Sequence, residues 1–149
     1  MFSGLMPAMV TPFDERGEVD LRATKAVIEW FIEAGVSGIS SLGNTSEFWH
    51  LLGEERKLFV DEVVRIVAGR VPLAVVVGAA GAKEMVELAR HAESVGADAV
   101  LVVSTFLLQG GREGPFQVLR GRGRLGRHIR RDLQPPDADR HRPLALPDR

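Results

Sequence analysis

Residues 73–103 read LAVVVGAAGAKEMVELARHAESVGADAVLVV. Leu73 to Val77 is a β-branched apolar run, the length of a buried strand. From Ala82 to Val95, Met85, Leu88, Ala89 and Ala92 fall on one face at helical spacing. Asp98 to Val103 is apolar again. This is strand, helix, strand. Strands apolar at nearly every position need cover on both faces, which is the property of a parallel sheet in an α/β protein.

The same rhythm extends toward the N-terminus. Leu5 to Val10 reads as a strand ended by Thr11-Pro12, and Asp14 to Gly17 is turn chemistry. Asp20 can cap a helix that carries Val27, Trp30, Phe31 and Ala34, with Gly35 as its stop and Trp30 expected in the core. Val36 to Leu42 is the next strand. Gly53-Glu54-Glu55 then opens a helix with two carboxylates at the positive end of its dipole. Leu58, Phe59, Val63, Ile66 and Val67 form its apolar stripe, and Gly69 and Pro72 punctuate its end. The order is βαβαβαβ. Units of this size suit either a (βα)8 barrel or a doubly wound sheet, and periodicity does not separate the two. No glycine-rich phosphate loop follows the first strand, which weakens the dinucleotide-binding reading.

Composition sets further bounds. The chain has 149 residues, 45% hydrophobic and 26% charged, the balance of a globular protein. It has no Cys, hence no disulfide or thiol nucleophile, and no Tyr, hence no tyrosine acid or base. Its three lysines, Lys25, Lys57 and Lys83, all fall on expected outer helices, where a solvated face is the plain reading. No apolar run is long enough to cross a membrane and no secretory leader is seen, so a cytoplasmic location is expected. The net charge of −1 hides a division. Residues 1–104 carry 9 Lys+Arg against 15 Asp+Glu, and residues 105–149 carry 10 Arg, no Lys and 5 Asp+Glu.

In a parallel barrel the chemistry sits just after the C-terminal strand ends. The second strand ends in Leu42-Gly43-Asn44-Thr45-Ser46-Glu47-Phe48, a glycine followed by three small polar side chains and an acid. Such a turn suits a carboxylate ligand, and equally a polar loop that caps a strand. Glu47 orients the loop or is an ordinary acid near a helix start. Trp49 lines a pocket or covers that start. His50 and His91 lack metal-ligand spacing, and no metal or cofactor is expected.

Together these segments resemble the dihydrodipicolinate synthase/N-acetylneuraminate lyase family of pyruvate-dependent class I aldolases and lyases. The stretches that carry the likeness are Gly4 to Phe13, Ile32 to Gly38, Leu42 to Glu47 against the family's L-G-T-T-G-E loop, Glu54-Glu55-Arg56, Glu87 to Ala92 and Gly96 to Val100. The likeness covers residues 1–104. Met-Phe-Ser-Gly at the start and Leu52 to Lys57 look most like the branch acting on 2-keto-3-deoxy sugar acids. The resemblance implies the first four strands and three intervening helices of a (βα)8 TIM barrel, followed by an irregular tail. It implies a lysine forming a Schiff base with pyruvate or a pyruvate-like 2-keto acid, a proton-moving tyrosine, and a strand-2 loop that grips the carboxylate. By position Thr45 matches the carboxylate-binding hydroxyl, and Gly43 and Ser46 belong to the same substrate-binding loop. Asn44 stands where the family has its relay threonine; an amide can hydrogen-bond but cannot pass a proton as a hydroxyl does. Ser46 replaces a usual glycine and is expected to narrow the loop. The Y-N-x-P tyrosine motif and the lysine motif of the family are not in this sequence. Without that lysine and tyrosine the chain alone is expected to be inactive; four strands cannot close an eight-stranded barrel, and a family-like homo-oligomer is not expected of such a fragment.

After Ser104 the rhythm stops. Residues 110–131 alternate Gly and Arg, and no helix or strand face can be drawn over 105–149. Back-translation of 105–149 with free synonymous codons, shifted by one base, permits a string resembling the missing family segment, including Y-N-x-P followed by T-G. The tail is therefore expected to be out of frame and disordered. The competing reading is a non-enzymatic module whose Arg112, Arg120, Arg122, Arg124, Arg127, Arg130 and Arg131 bind nucleic-acid phosphates. That reading is weakened because no aromatic follows Phe116 to stack on bases.

Overall fold

The structure, a computed structural model, describes residues 4–104 and 116–120. Three helices form where the apolar stripes place them: α1 (Leu21–Glu33), α2 (Gly53–Val67) and α3 (Ala82–Val95). The Asp20 carboxylate accepts the backbone N–H of Arg22 and of Ala23, which satisfies two of the free donors at the start of α1. At α2 the Glu55 carboxylate reaches back to the Leu52 N–H at 2.6 Å. Gly35 follows α1 with φ of +75°, a conformation that glycine adopts at no steric cost.

The sheet has strands β1 (Ile39–Ser41), β2 (Leu73–Ala79), β3 (Ala99–Ser104) and β4 (Phe116–Arg120), in that spatial order. β1, β2 and β3 are parallel, with Ser41 beside Val75 and Val75 beside Val100. α2 crosses from β1 to β2 and α3 from β2 to β3, the strand–helix–strand order of a parallel α/β unit. The core lies between sheet and helices, where Ile39, Val75, Val77, Val100 and Val102 meet Phe59, Val63, Leu88 and Ala89. Every β2 residue is buried, as an interior parallel strand requires.

Four features depart from the sequence reading. The Leu5–Val10 segment makes one parallel bridge, Ala8 to Ser40, and no strand. Pro7 has no N–H to give the ladder, so only its carbonyl takes part, accepting from Ser40. β1 is shorter than Val36–Leu42 because Leu42 turns into the left-handed region at φ of +58°. Phe116–Arg120 is a strand antiparallel to β3, within the segment where the sequence reading draws none. β3 offers an unpaired edge of N–H and C=O groups, which an extended segment of almost any sequence can occupy. Trp30 is 65% exposed and not in the core; it lies against Phe31 on the outer side of α1.

Candidate functional site

The loop after β1 is held from both ends. Leu42 and Glu47, both non-glycine, adopt left-handed backbone conformations with φ of +58° and +51°. Such positions cost about 1–2 kcal/mol each and persist only where the surroundings impose them. Between them Asn44–Ser46 forms a 3-10 turn, with the Ser46 N–H donating to the Gly43 carbonyl at 3.0 Å and the Glu47 N–H to the Asn44 carbonyl at 3.0 Å.

One anchor is the segment before α1. The Thr11 hydroxyl donates to the Ser46 carbonyl at 2.8 Å, and the Ser46 hydroxyl donates to the Met9 carbonyl. Thr11, Met9 and Ser46 are all buried. The second anchor is Arg56 on α2. Its Nε donates to the Leu51 carbonyl at 3.0 Å and a terminal nitrogen to the Gly78 carbonyl at 2.8 Å. The guanidinium lies 5.0 Å from the centroid of the Phe48 ring. That ring rests on Gly78, where a Cβ would come within 2.5 Å of it. Burial pushes the Arg56 guanidinium below its ordinary pKa, with the nearby Glu84 carboxylate opposing the shift.

The predicted residues divide by exposure. Asn44 and Thr45 are exposed at the C-terminal end of β1, while Gly43 and Ser46 are buried. Ser46 does not narrow an opening: its side chain turns inward and its hydroxyl is committed to Met9. Glu47 is exposed and takes the left-handed turn that ends the 3-10 segment. Trp49 is 53% exposed and packs on Phe48 with ring centroids 4.7 Å apart. His50 is exposed. His91 pairs with Asp61 at 2.6 Å, linking α3 to α2.

All three lysines lie on helices, Lys25 on α1, Lys57 on α2 and Lys83 on α3. Lys57 is not merely solvated. Its ammonium bonds Glu54 at 2.8 Å and Glu87 at 2.6 Å, and those carboxylates raise its pKa. An ammonium so held is a poor nucleophile, because only the neutral amine attacks a keto group. The arginines named in the tail, other than Arg120 in β4, lie outside the described residues, as do His128 and His141. Sequence reasoning missed Arg56 as an anchor of the loop. Its signals were the Glu54-Glu55-Arg56 match to the family and a cation three residues into α2, a position open to a solvated side chain as well.

The turn thus has a buried inner half and an exposed outer half at the C-terminal end of a parallel strand, the end at which parallel barrels carry their sites. A sequence model of the Dihydrodipicolinate synthetase family matches residues 1–119. The chain belongs to the dihydrodipicolinate synthetase family. The matched range passes Ser104 and takes in most of β4. A 4-hydroxy-tetrahydrodipicolinate synthase of Roseobacter denitrificans is 46% identical over 106 residues, 71% of this chain and 36% of that protein. YagE, a prophage protein of E. coli K12 from the dihydrodipicolinic acid synthase family, solved in complex with pyruvate, superposes with a TM-score of 0.68 at 38% identity. The superposition covers 69% of this chain and 35% of YagE. N-acetylneuraminate lyase from Mycoplasma synoviae superposes with a TM-score of 0.65 at 37% identity, over 68% of this chain and 36% of that one. The chain thus spans little more than a third of the length of these relatives.

Proposed function

We infer that residues 1–104 are the N-terminal βα units of a pyruvate-dependent class I aldolase or lyase, working through a Schiff base. The observation that carries this is the loop at the end of β1, with Asn44 and Thr45 exposed on a turn fixed from beneath. The Thr45 hydroxyl holds the carboxylate of a 2-keto acid, the Gly43 backbone lets that carboxylate approach closely, and Ser46 serves the site from below by tying the turn to Met9. Asn44 holds a substrate oxygen or water by its amide but passes no proton. The substrate class is pyruvate and pyruvate-ended keto acids, with the 2-keto-3-deoxy sugar acids as the favoured branch.

Within these 149 residues no lysine lies at a strand end and no tyrosine exists. The chain by itself therefore grips the substrate without supplying the amine that attacks it, and turns over nothing. The segment 105–149 is a second unit, read one base out of frame from the remainder of the barrel. The intact protein acts in the cytoplasm.

The experiment is to sequence the gene across the codons for residues 95–149 and beyond, then express the protein with the shifted frame restored. The expected result is a missing or extra base near residue 105, and a restored protein in which Thr45→Ala raises the KM for pyruvate about tenfold or more through the lost hydroxyl. A base sequence offering no shifted frame of this kind removes the reading of the tail. An active restored protein indifferent to Thr45→Ala removes the reading of the loop.

A further inference from the structure

We propose that Arg56 is the positioning residue of the Gly43–Leu51 loop, clasping the loop's C-terminal end to the end of β2 and so setting where Asn44 and Thr45 stand. As regards substrate, this rests on the reading of that loop as a carboxylate grip. The clasp itself rests on geometry alone.

The loop joins two elements that do not otherwise fix its path. Its entrance follows β1 directly, and its middle is tied to the Met9–Thr11 segment through Ser46. From Glu47 onward it must turn outward, run through the short 3-10 segment Phe48–His50, and meet α2 at Gly53. The left-handed backbone at Glu47 does not hold itself. The buried Phe48 and Leu51 side chains anchor this half in the core, and one guanidinium ties it to the sheet by bonding carbonyls of two elements, Leu51 in the loop and Gly78 in β2, while its face covers Phe48. Phe48 in turn is wedged against the Gly78 backbone, which has no side chain to keep it away. Arg56, Phe48 and Gly78 therefore lock one another. A planar fork of donors can serve two carbonyls at fixed angles and stack on a ring at the same time. An ammonium at the same place is a single point charge with no face to stack. Half-burying a cation is unfavourable unless its donors are engaged, and here they are engaged on Leu51 and Gly78.

The test is hydrogen–deuterium exchange read by mass spectrometry on the 149-residue chain, comparing wild type, Arg56→Met, Arg56→Lys and Thr45→Ala, each with and without pyruvate. Methionine keeps the apolar stem and removes the fork; lysine restores the charge alone. The proposal expects exchange across residues 42–51 to rise on the order of tenfold or more in Arg56→Met, while α1 and β3 keep their wild-type rates, with partial recovery in Arg56→Lys. It also expects the pyruvate concentration giving half-maximal protection of the loop to rise about tenfold in Arg56→Met. A general loss of stability would speed every segment together and would not favour lysine over methionine. Unchanged loop exchange, or equal acceleration in all segments, overturns the proposal. Protection by pyruvate that is lost in Thr45→Ala but intact in Arg56→Met also overturns it while leaving the carboxylate reading in place. No protection by pyruvate in wild type, with the loop still loosened by Arg56→Met, upholds the clasp and overturns the carboxylate reading instead.

Discussion

Adding one methyl group at Gly78 is expected to unfasten the loop. A Cβ built on Gly78 falls 2.5 Å from one Phe48 ring carbon and 2.8 Å from the next, with the Val103 carbonyl oxygen at 3.4 Å on the other side. Carbon atoms rest at about 3.5–4.0 Å, so the ring must withdraw by about 1 Å. It has little room to do so, since Phe48 is 3% exposed, with the Arg56 guanidinium 5.0 Å from its centroid and Trp49 packed beside it. Overpacking of a filled core costs about 1–3 kcal/mol. A strained Arg56–Gly78 hydrogen bond adds about 1 kcal/mol, part of the 1.5–3 that a charged donor contributes. The total for Gly78→Ala is about 2–4 kcal/mol. Urea denaturation followed by Trp49 fluorescence measures it, in a Trp30→Phe background that removes the other, exposed indole. With a slope of about 2 kcal/mol per molar urea, the midpoint falls by about 1–2 M. The Trp49 emission of the folded protein shifts as well, because its ring partner moves. A change under about 0.5 kcal/mol with unaltered Trp49 emission would refute the packing argument.

Other outcomes are expected. The Ser41 hydroxyl is buried with no hydrogen-bond partner among the described residues, so Ser41→Ala leaves stability unchanged or raises it by up to about 2 kcal/mol in the same urea assay. Asp20→Ala removes the acceptor for two N–H groups of α1 and lowers stability by about 1 kcal/mol, seen in the thermal midpoint, whereas Asp20→Asn largely preserves it. Ser46→Ala leaves the Met9 carbonyl short of its donor and costs about 1–3 kcal/mol, with the loss of protection largest in the 42–48 peptide in hydrogen exchange. Acid should destabilise the fold in a defined direction. The Glu18 and Arg16 N–H groups hold the Asp14 carboxyl below its ordinary 3.8, and the Arg70 guanidinium holds Glu29 below its ordinary 4.5. A carboxyl depressed in the folded state contributes fully above its unfolded pKa and loses that contribution as pH falls through the folded one. The thermal midpoint is therefore flat between about pH 7 and 5 and falls below about pH 4; a midpoint that rises on acidification would contradict this.

The helices were legible because their signals are local. Asp20 before the first stripe, Gly35 after it and Glu54-Glu55 at the start of the second mark ends that the structure reproduces almost to the residue, and the third stripe spans the observed Ala82–Val95. β2 and β3 were legible because interior parallel strands must be apolar on both faces. The Leu5–Val10 segment misled for the opposite reason. Its apolar run is that of a strand, but hydrogen bonding is a property of a pair, and Pro7 breaks the pair. β4 had no local signal, because the partner edge, and not the composition of Phe116–Arg120, decides its conformation. At the loop, the exposed pair Asn44 and Thr45 could be anticipated from residue type at a strand end. The inward turn of Ser46 and the clasp of Arg56 could not. Both depend on long-range partners, Met9 at 37 residues' separation and Gly78 at 22.

The most direct measurement is borohydride reduction in the presence of pyruvate, followed by intact-mass and peptide spectrometry. The 149-residue chain is predicted to gain no pyruvate mass, since Lys25, Lys57 and Lys83 all lie on helices and Lys57 is held as an ammonium by two carboxylates. The protein with its frame restored after Ser104 is predicted to gain one pyruvate on a lysine outside these three. A reduced pyruvate adduct on Lys25, Lys57 or Lys83 of the 149-residue chain would contradict the account.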